Sequence, residues 1–153
     1  MKKYFSINKG FTLIELLVVI AIIAILSAIV MSSIFASRSK ARDAKRVADI
    51  SQIQLALEQY FDKNGNYPNT TASLSPNYIS VIPTAPSPGS YLYGARTDSP
   101  FANSDYILRA TLENNNADVL NDSLNTMPVG ATYSGFGASS CLTTSKYYCV
   151  GPK

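Results

Sequence analysis

Lys9-Gly10-Phe11-Thr12-Leu13-Ile14-Glu15 opens a run of 21 residues, Phe11 to Met31, whose only polar side chains are Thr12, Glu15 and Ser27. About 20 apolar residues in a helix suffice to cross a bilayer, so the run predicts a membrane-spanning helix near the N-terminus. The carboxylate inside it is the anomaly. Carrying such a charge to mid-bilayer costs roughly 2.5–3.5 kcal/mol on insertion scales, and by default it marks a functional position. The competing reading is an ordinary anchor that tolerates Glu15 near its end, where water or headgroups reach it.

A basic leader ending in Gly10, then Phe11-Thr12-Leu13-Ile14-Glu15 and an unbroken aliphatic helix, resembles the N-terminal signature of type IV prepilins and type II secretion pseudopilins. The resemblance implies that a prepilin peptidase cuts between Gly10 and Phe11 and methylates the new N-terminus, leaving 143 of the 153 residues. It also implies that Glu15 is neutralised by the Phe11 ammonium of a neighbouring subunit, because the alternative in hydrocarbon is an unpaired charge.

The formal charge of +3 belongs to the leader: without Lys2, Lys3 and Lys9, ten cations balance ten carboxylates. From Val47 onward five cations face eight carboxylates, the opposite of the basic surface that a nucleic-acid binder presents. The remaining cations, Arg38, Lys40, Arg42, Lys45 and Arg46, follow the apolar run. Counted alone, the positive-inside rule places their side in the cytoplasm. The prepilin-like signature and the cysteine pair argue for the reverse, with the N-terminus cytoplasmic and the C-terminal part exported. A secretory signal peptide has an apolar core of only 7–15 residues and a small-residue cleavage site; this run is longer and continues as helix.

Past the apolar run, Val47, Ile50, Ile53, Leu57 and Tyr60 or Phe61 recur at three- and four-residue spacing, the period of one helical face. Arg42, Asp43, Lys45, Arg46, Asp49, Gln52, Glu58 and Gln59 fill the other positions. Neither proline nor glycine interrupts Phe11 to Asp62, which predicts one helix of ~78 Å at 1.5 Å per residue. Asn64-Gly65 and Tyr67-Pro68 predict its stop. Asn69 to Gly89 has loop composition, with Pro76, Pro83, Pro86 and Pro88. Strands are predicted at Ser90–Tyr93, Tyr106–Glu113, Ala117–Leu120 and Tyr147–Val150, and hydrophobic turns around Tyr78–Val81 at the surface. In the second strand Tyr106, Leu108, Ala110 and Leu112 alternate with Ile107, Arg109, Thr111 and Glu113.

The fold class is therefore α+β: a long N-terminal helix packed against a small antiparallel sheet. Its parts are a leader (1–10), a membrane or filament-core helix (11–31), an amphipathic half (32–64), and a loop and sheet head (65–153). Many members of the resembled family carry a glycine and a proline in the N-terminal helix, where it melts on assembly. This chain has Ala24 and Ser32 there, and Ser32, Ser33 and Ser37 weaken a helix only by competing for its backbone.

With no histidine, Ser-His-Asp and Cys-His catalysis are excluded, and no lysine-bearing phosphate loop is present. No enzyme activity and no cofactor are predicted. Cys141 and Cys149 suit a small disulfide loop, worth roughly 2.5 kcal/mol on a loop-entropy account; two thiols without histidine make a poor zinc site. The loop is similar to the C-terminal disulfide loop of many type IV pilins. Asp98, Asp105, Asp118 and Asp122 could offer oxygens to calcium, as the resemblance to pseudopilins suggests, but they do not fall in one compact loop and read as solvated.

The resemblance implies a pilin-like structural subunit that polymerises with itself through the apolar helix. Its partners are the prepilin peptidase and an inner-membrane assembly platform. It starts as a single-pass inner-membrane protein and ends in an extracellular or periplasmic filament. Alternatives are a type II secretion pseudopilin and a monomeric, membrane-anchored extracellular binding domain.

Overall fold

The computed structural model describes residues 10–115, 119–120, 123–124, 130–137, 141 and 146–152, apart from the Ser32 side chain. The chain divides into two compact units, residues 1–38 and 39–153. Helix α1, Leu13–Asn64, runs through 52 residues. It is as long as predicted and lies two residues later. Its end follows from local chemistry. Gly65 adopts φ 72°, the left-handed conformation that costs glycine nothing, and its N–H donates to Phe61 O at 2.7 Å.

In the first unit the helix has no cover. Every large apolar side chain from Leu13 to Phe35 is exposed, and no residue of an 18-residue window with mean hydropathy 3.1 is buried. That window is long and apolar enough to cross a membrane. The helix passes Ala24 and Ser32 without a break. Ser33 and Ser37 turn their hydroxyls back to Val30 O and Ser33 O, both at 2.9 Å.

In the second unit the same helix has an inside. Ile50, Ile53, Ala56 and Leu57 are buried against a three-stranded antiparallel sheet of order β1-β2-β3. The strands are β1 (Tyr91–Ala95), β2 (Tyr106–Thr111) and β3 (Tyr147–Val150). Tyr106, Leu108, Ala110 and Leu112 face the helix as their alternation predicts. Burying a leucine such as Leu108 or Leu112 contributes about 1.5–3 kcal/mol. Tyrosine hydroxyls finish the polar edges of this core: Tyr67 and Tyr106 donate to Glu58 at 3.0 and 3.1 Å, and Tyr91 donates to Asp49 at 2.6 Å.

Four features depart from the sequence expectations or go beyond them. Residues 117 and 118 of the predicted third strand lie outside the described residues, while Val119 and Leu120 are helical, closed by Ser123 N–H donating to Leu120 O at 3.2 Å. A turn there lets Leu120 reach the core. The outer face of β2 is not simply solvated, because Ile107 packs with Tyr133, Cys141 and Cys149 in a second buried cluster. Gly94 permits that layer: a Cβ there would stand 2.2 Å from Ser134 O. The loop holds a short 3-10 helix, Thr71–Leu74, whose Leu74 is fully buried, and Tyr78 and Ile79 pack against the core instead of lying on the surface.

The fourth concerns charge. Asp43, Arg46 and Asp49 fall among the polar helix positions, yet all three are buried. Arg46 Nη1 meets Asp43 Oδ1 at 2.6 Å, and its Nη2 meets Glu113 Oε1 at 2.8 Å and donates to Pro86 O at 3.0 Å and to Pro88 O. Arg42 grips the same Glu113 from Nε and Nη2 at 2.7 and 2.5 Å. Asp43 accepts the Glu113 and Asn114 N–H groups at 2.8 and 2.9 Å. One helical turn thus fastens both the end of β2 and the proline-rich loop.

Candidate functional site

Thr12 and Glu15 start α1 as a reciprocal pair. Thr12 N–H and Oγ1 donate to Glu15 Oε2 at 2.8 and 2.7 Å, and Glu15 N–H donates to Thr12 Oγ1 at 3.3 Å. A threonine at the N-cap with a glutamate three residues on is a capping box, which satisfies two donors that a helix start leaves open. The negative carboxylate also sits at the positive end of the helix dipole. The spacing Thr12-x-x-Glu15 was legible as that motif. Sequence reasoning assigned Glu15 to a neighbouring subunit and overlooked Thr12.

Both short bonds use Oε2. Among the described residues nothing donates to Oε1. Phe11 is 90 % exposed. Gly10 is exposed too, and no described atom lies within 4 Å of where its Cβ would stand. Nothing in the described chain therefore demands glycine at this position.

Cys141 and Cys149 are joined, with Cα atoms 5.8 Å apart. The bond ties residue 141 to β3 inside the outer cluster with Ile107 and Tyr133. Of the four candidate calcium ligands, Asp118 and Asp122 lie outside the described residues. Asp98 is held by Arg96 Nε and Nη2 at 2.8 and 2.7 Å, and Asp105 accepts Tyr133 Oη at 2.5 Å and Tyr106 N–H at 2.7 Å. Protein donors occupy both carboxylates, and among the described residues no three acidic, histidine or cysteine side chains gather into a metal cage.

Ion pairs set the electrostatics of the head. The Arg42 bond, with Arg46 behind it, holds the Glu113 carboxyl down to about 2, and Arg96 does the same for Asp98. Burial pushes Asp43 up, but the N–H groups of Glu113 and Asn114 together with Arg46 outweigh it, and the net shift is downward.

The prokaryotic N-terminal methylation motif matches residues 6–31. The type II secretion system core protein G of Aeromonas hydrophila is 38 % identical over 87 residues, 57 % of this chain and 60 % of that protein. Its Escherichia coli counterpart is 37 % identical over 79 residues, 52 % of this chain and 53 % of that protein. A type IV wide pilus major component of Thermus thermophilus is 44 % identical over 66 residues, 43 % of this chain and half of that protein. The chain thus matches only about half to three-fifths of the length of these relatives. No solved structure gives a significant match. In its methylation motif, its uncovered apolar helix and the small antiparallel sheet that follows, the chain is similar to type IV pilins and type II secretion pseudopilins.

Proposed function

We propose that the chain is a filament subunit, not an enzyme: it is cut after Gly10, methylated on Phe11, and polymerises through its N-terminal helix into a type IV pilus-like fibre. The observation that carries this reading is the apolar helix with no cover in its own unit and a carboxylate at its mouth. Before assembly the bilayer solvates the helix, with the N-terminus cytoplasmic and the head exported. In the fibre, helices of other copies replace lipid. Glycine at position 10 has no use within the described chain, which fits a demand made by a peptidase that must reach the adjacent peptide.

Glu15 has two states to satisfy. Alone in the membrane, its charge leans on Thr12. At assembly, Oε1 accepts the Phe11 ammonium of an adjacent copy, and an ion pair in low dielectric replaces a lone charge. Glu15→Gln keeps size and hydrogen bonding while deleting the charge. The variant inserts, is cleaved and accumulates in the membrane, but its yield of sheared filaments falls at least about tenfold, a loss of about 1.4 kcal/mol or more in subunit addition. Wild-type filament yield from Glu15→Gln would show that apolar packing suffices and that the carboxylate has another role.

A second reading, a type II secretion pseudopilin, is favoured by the relatives named core protein G. Deleting the chain separates the two. Loss of protein export with surface fibres intact supports the pseudopilin, and the reverse supports the pilus.

A further inference from the structure

The sheet has two outer edges, and the chain covers them unequally. Arg96 N–H donates to Asp105 O at 2.9 Å, continuing the register that sets Leu92 opposite Arg109 and Gly94 opposite Ile107. Main-chain groups of successive strand residues point to alternate sides, so those of Tyr91, Tyr93 and Ala95 point away from β2. By the same reasoning Leu112 N–H on Lys146 O turns Tyr147, Cys149 and Gly151 outward from β3.

The β3 edge is occupied. Cys149 N–H donates to Ser123 Oγ at 2.9 Å, Leu124 N–H donates to Cys149 O at 2.9 Å, and Gln54 Nε2 donates to Gly151 O at 3.0 Å. Cover on the β1 side stops short. Ser134 N–H reaches Ala95 O at 3.0 Å and Thr97 N–H reaches Thr132 O at 2.8 Å. Among the described residues no donor or acceptor meets the main chain of Tyr91 or Tyr93. An open edge of this kind is a template for another strand.

Beside the open edge lies a cavity of about 340 Å3, bounded by Tyr91 and Tyr93, by Ile53 and Leu108, and by Ile82 and Pro83. Ile53 and Leu108 place it on the helix side of the sheet. A strand added to β1 sends every second side chain to that side. No charged side chain lines the cavity, so it suits apolar side chains and rejects ionic ones. A second copy's own β1 suits it poorly. The tyrosines there already spend their hydroxyls at home, Tyr91 on Asp49 at 2.6 Å and Tyr93 on Pro68 O at 2.6 Å.

We propose that the Tyr91–Tyr93 edge is a β-strand addition site for an extended, uncharged segment of a different polypeptide. The segment's main chain bonds to Tyr91 and Tyr93, and its alternate apolar side chains fill the cavity. Main-chain bonds give affinity in this mode and the pocket gives selectivity. The site lies wholly in the head and does not depend on polymerisation.

The test uses the full chain in neutral detergent micelles and the peptide acetyl-Thr-Val-Thr-Val-Thr-amide. Two further peptides carry N-methyl groups on the Val amides alone or on the Thr amides alone. Only one set can face β1, so one methylated peptide loses at least about tenfold in affinity while the other stays within about twofold. Hydrogen exchange at the Tyr91 and Tyr93 amides slows when the unmethylated peptide binds. The proposal is overturned by no binding at millimolar peptide, or by equal effects of the two methylations. Slow exchange at both amides in the free chain that deepens with its concentration would make the occupant a second copy and equally overturn it.

Discussion

Ile23 and Ile53 are the same side chain on one helix, yet the first is 56 % exposed and the second 1 %. Their neighbours follow suit. Around Ile23 apolar residues cover every side of the helix, whereas around Ile53 they form one stripe opposite a sheet. A helix satisfies its own backbone in either place, so helix formation does not require burial. What differs is where the partner comes from. A stripe is completed by strands on one side; an apolar girdle needs apolar cover on every side, from lipid or from surrounding protein. Sequence pattern alone distinguishes a self-sufficient half from one that needs company.

The contrast breaks most severely at Arg46, the charge on which the head half turns. Arg46→Ala strands Asp43 and Glu113 without their shared cation and frees the Pro86–Pro88 loop. Removing one partner from a buried pair costs about 3–5 kcal/mol, and urea unfolding of the full chain in neutral micelles should show a loss of about 4 kcal/mol. Lys45→Ala, its exposed neighbour, should stay within about 0.5 kcal/mol. Equal effects would mean that the head does not hang on this cation.

Ile53→Ala and Ile23→Ala test the comparison directly. The first opens a cavity in the core and should lower head stability by about 3 kcal/mol. The second trims a side chain that stands 56 % exposed, so the head's unfolding midpoint should not move. A shift from Ile23→Ala comparable to that from Ile53→Ala would end the claim that the head is self-sufficient.

Much of this was legible because its causes are local. A stretch free of proline and glycine and closed by Asn64-Gly65 set the length of α1, and the Tyr106–Leu112 alternation showed which residues of β2 meet the helix. What escaped has distant causes. Arg42, Asp43 and Arg46 look like a solvated helix face until Glu113 and Asn114 arrive, some 70 residues later. The cluster over Ile107 depends on Tyr133, Cys141 and Cys149, which are distant in sequence and pack against β2. At the N-terminus the failure was one of weighting. The Thr12-x-x-Glu15 spacing is local, but the cost of a charge in hydrocarbon drew attention to an external partner and away from the cap.

The mildest perturbation is acid, and it too should fall on the head. Glu113 is held from its ordinary value of 4.5 down to about 2, chiefly by its bond to Arg42, with Arg46 adding to it. Asp98 is held from 3.8 down to about 2 by Arg96. A carboxyl whose folded pKa lies below its unfolded one contributes stability that is complete above the unfolded value and is lost as pH falls through the folded value. The head's urea midpoint should therefore be level from about pH 7 to about pH 5 and decline between about pH 4.5 and about pH 2. Glu113→Gln is less stable at neutral pH but should decline less over that acid range, because the contribution of Glu113 is gone while that of Asp98 remains. The slope reports carboxylates, because only they titrate in this acid range. A wild-type midpoint that held level down to about pH 2, or a Glu113→Gln slope as steep as wild type, would show that the Arg42–Glu113 contact does not hold the two halves of the head together in solution.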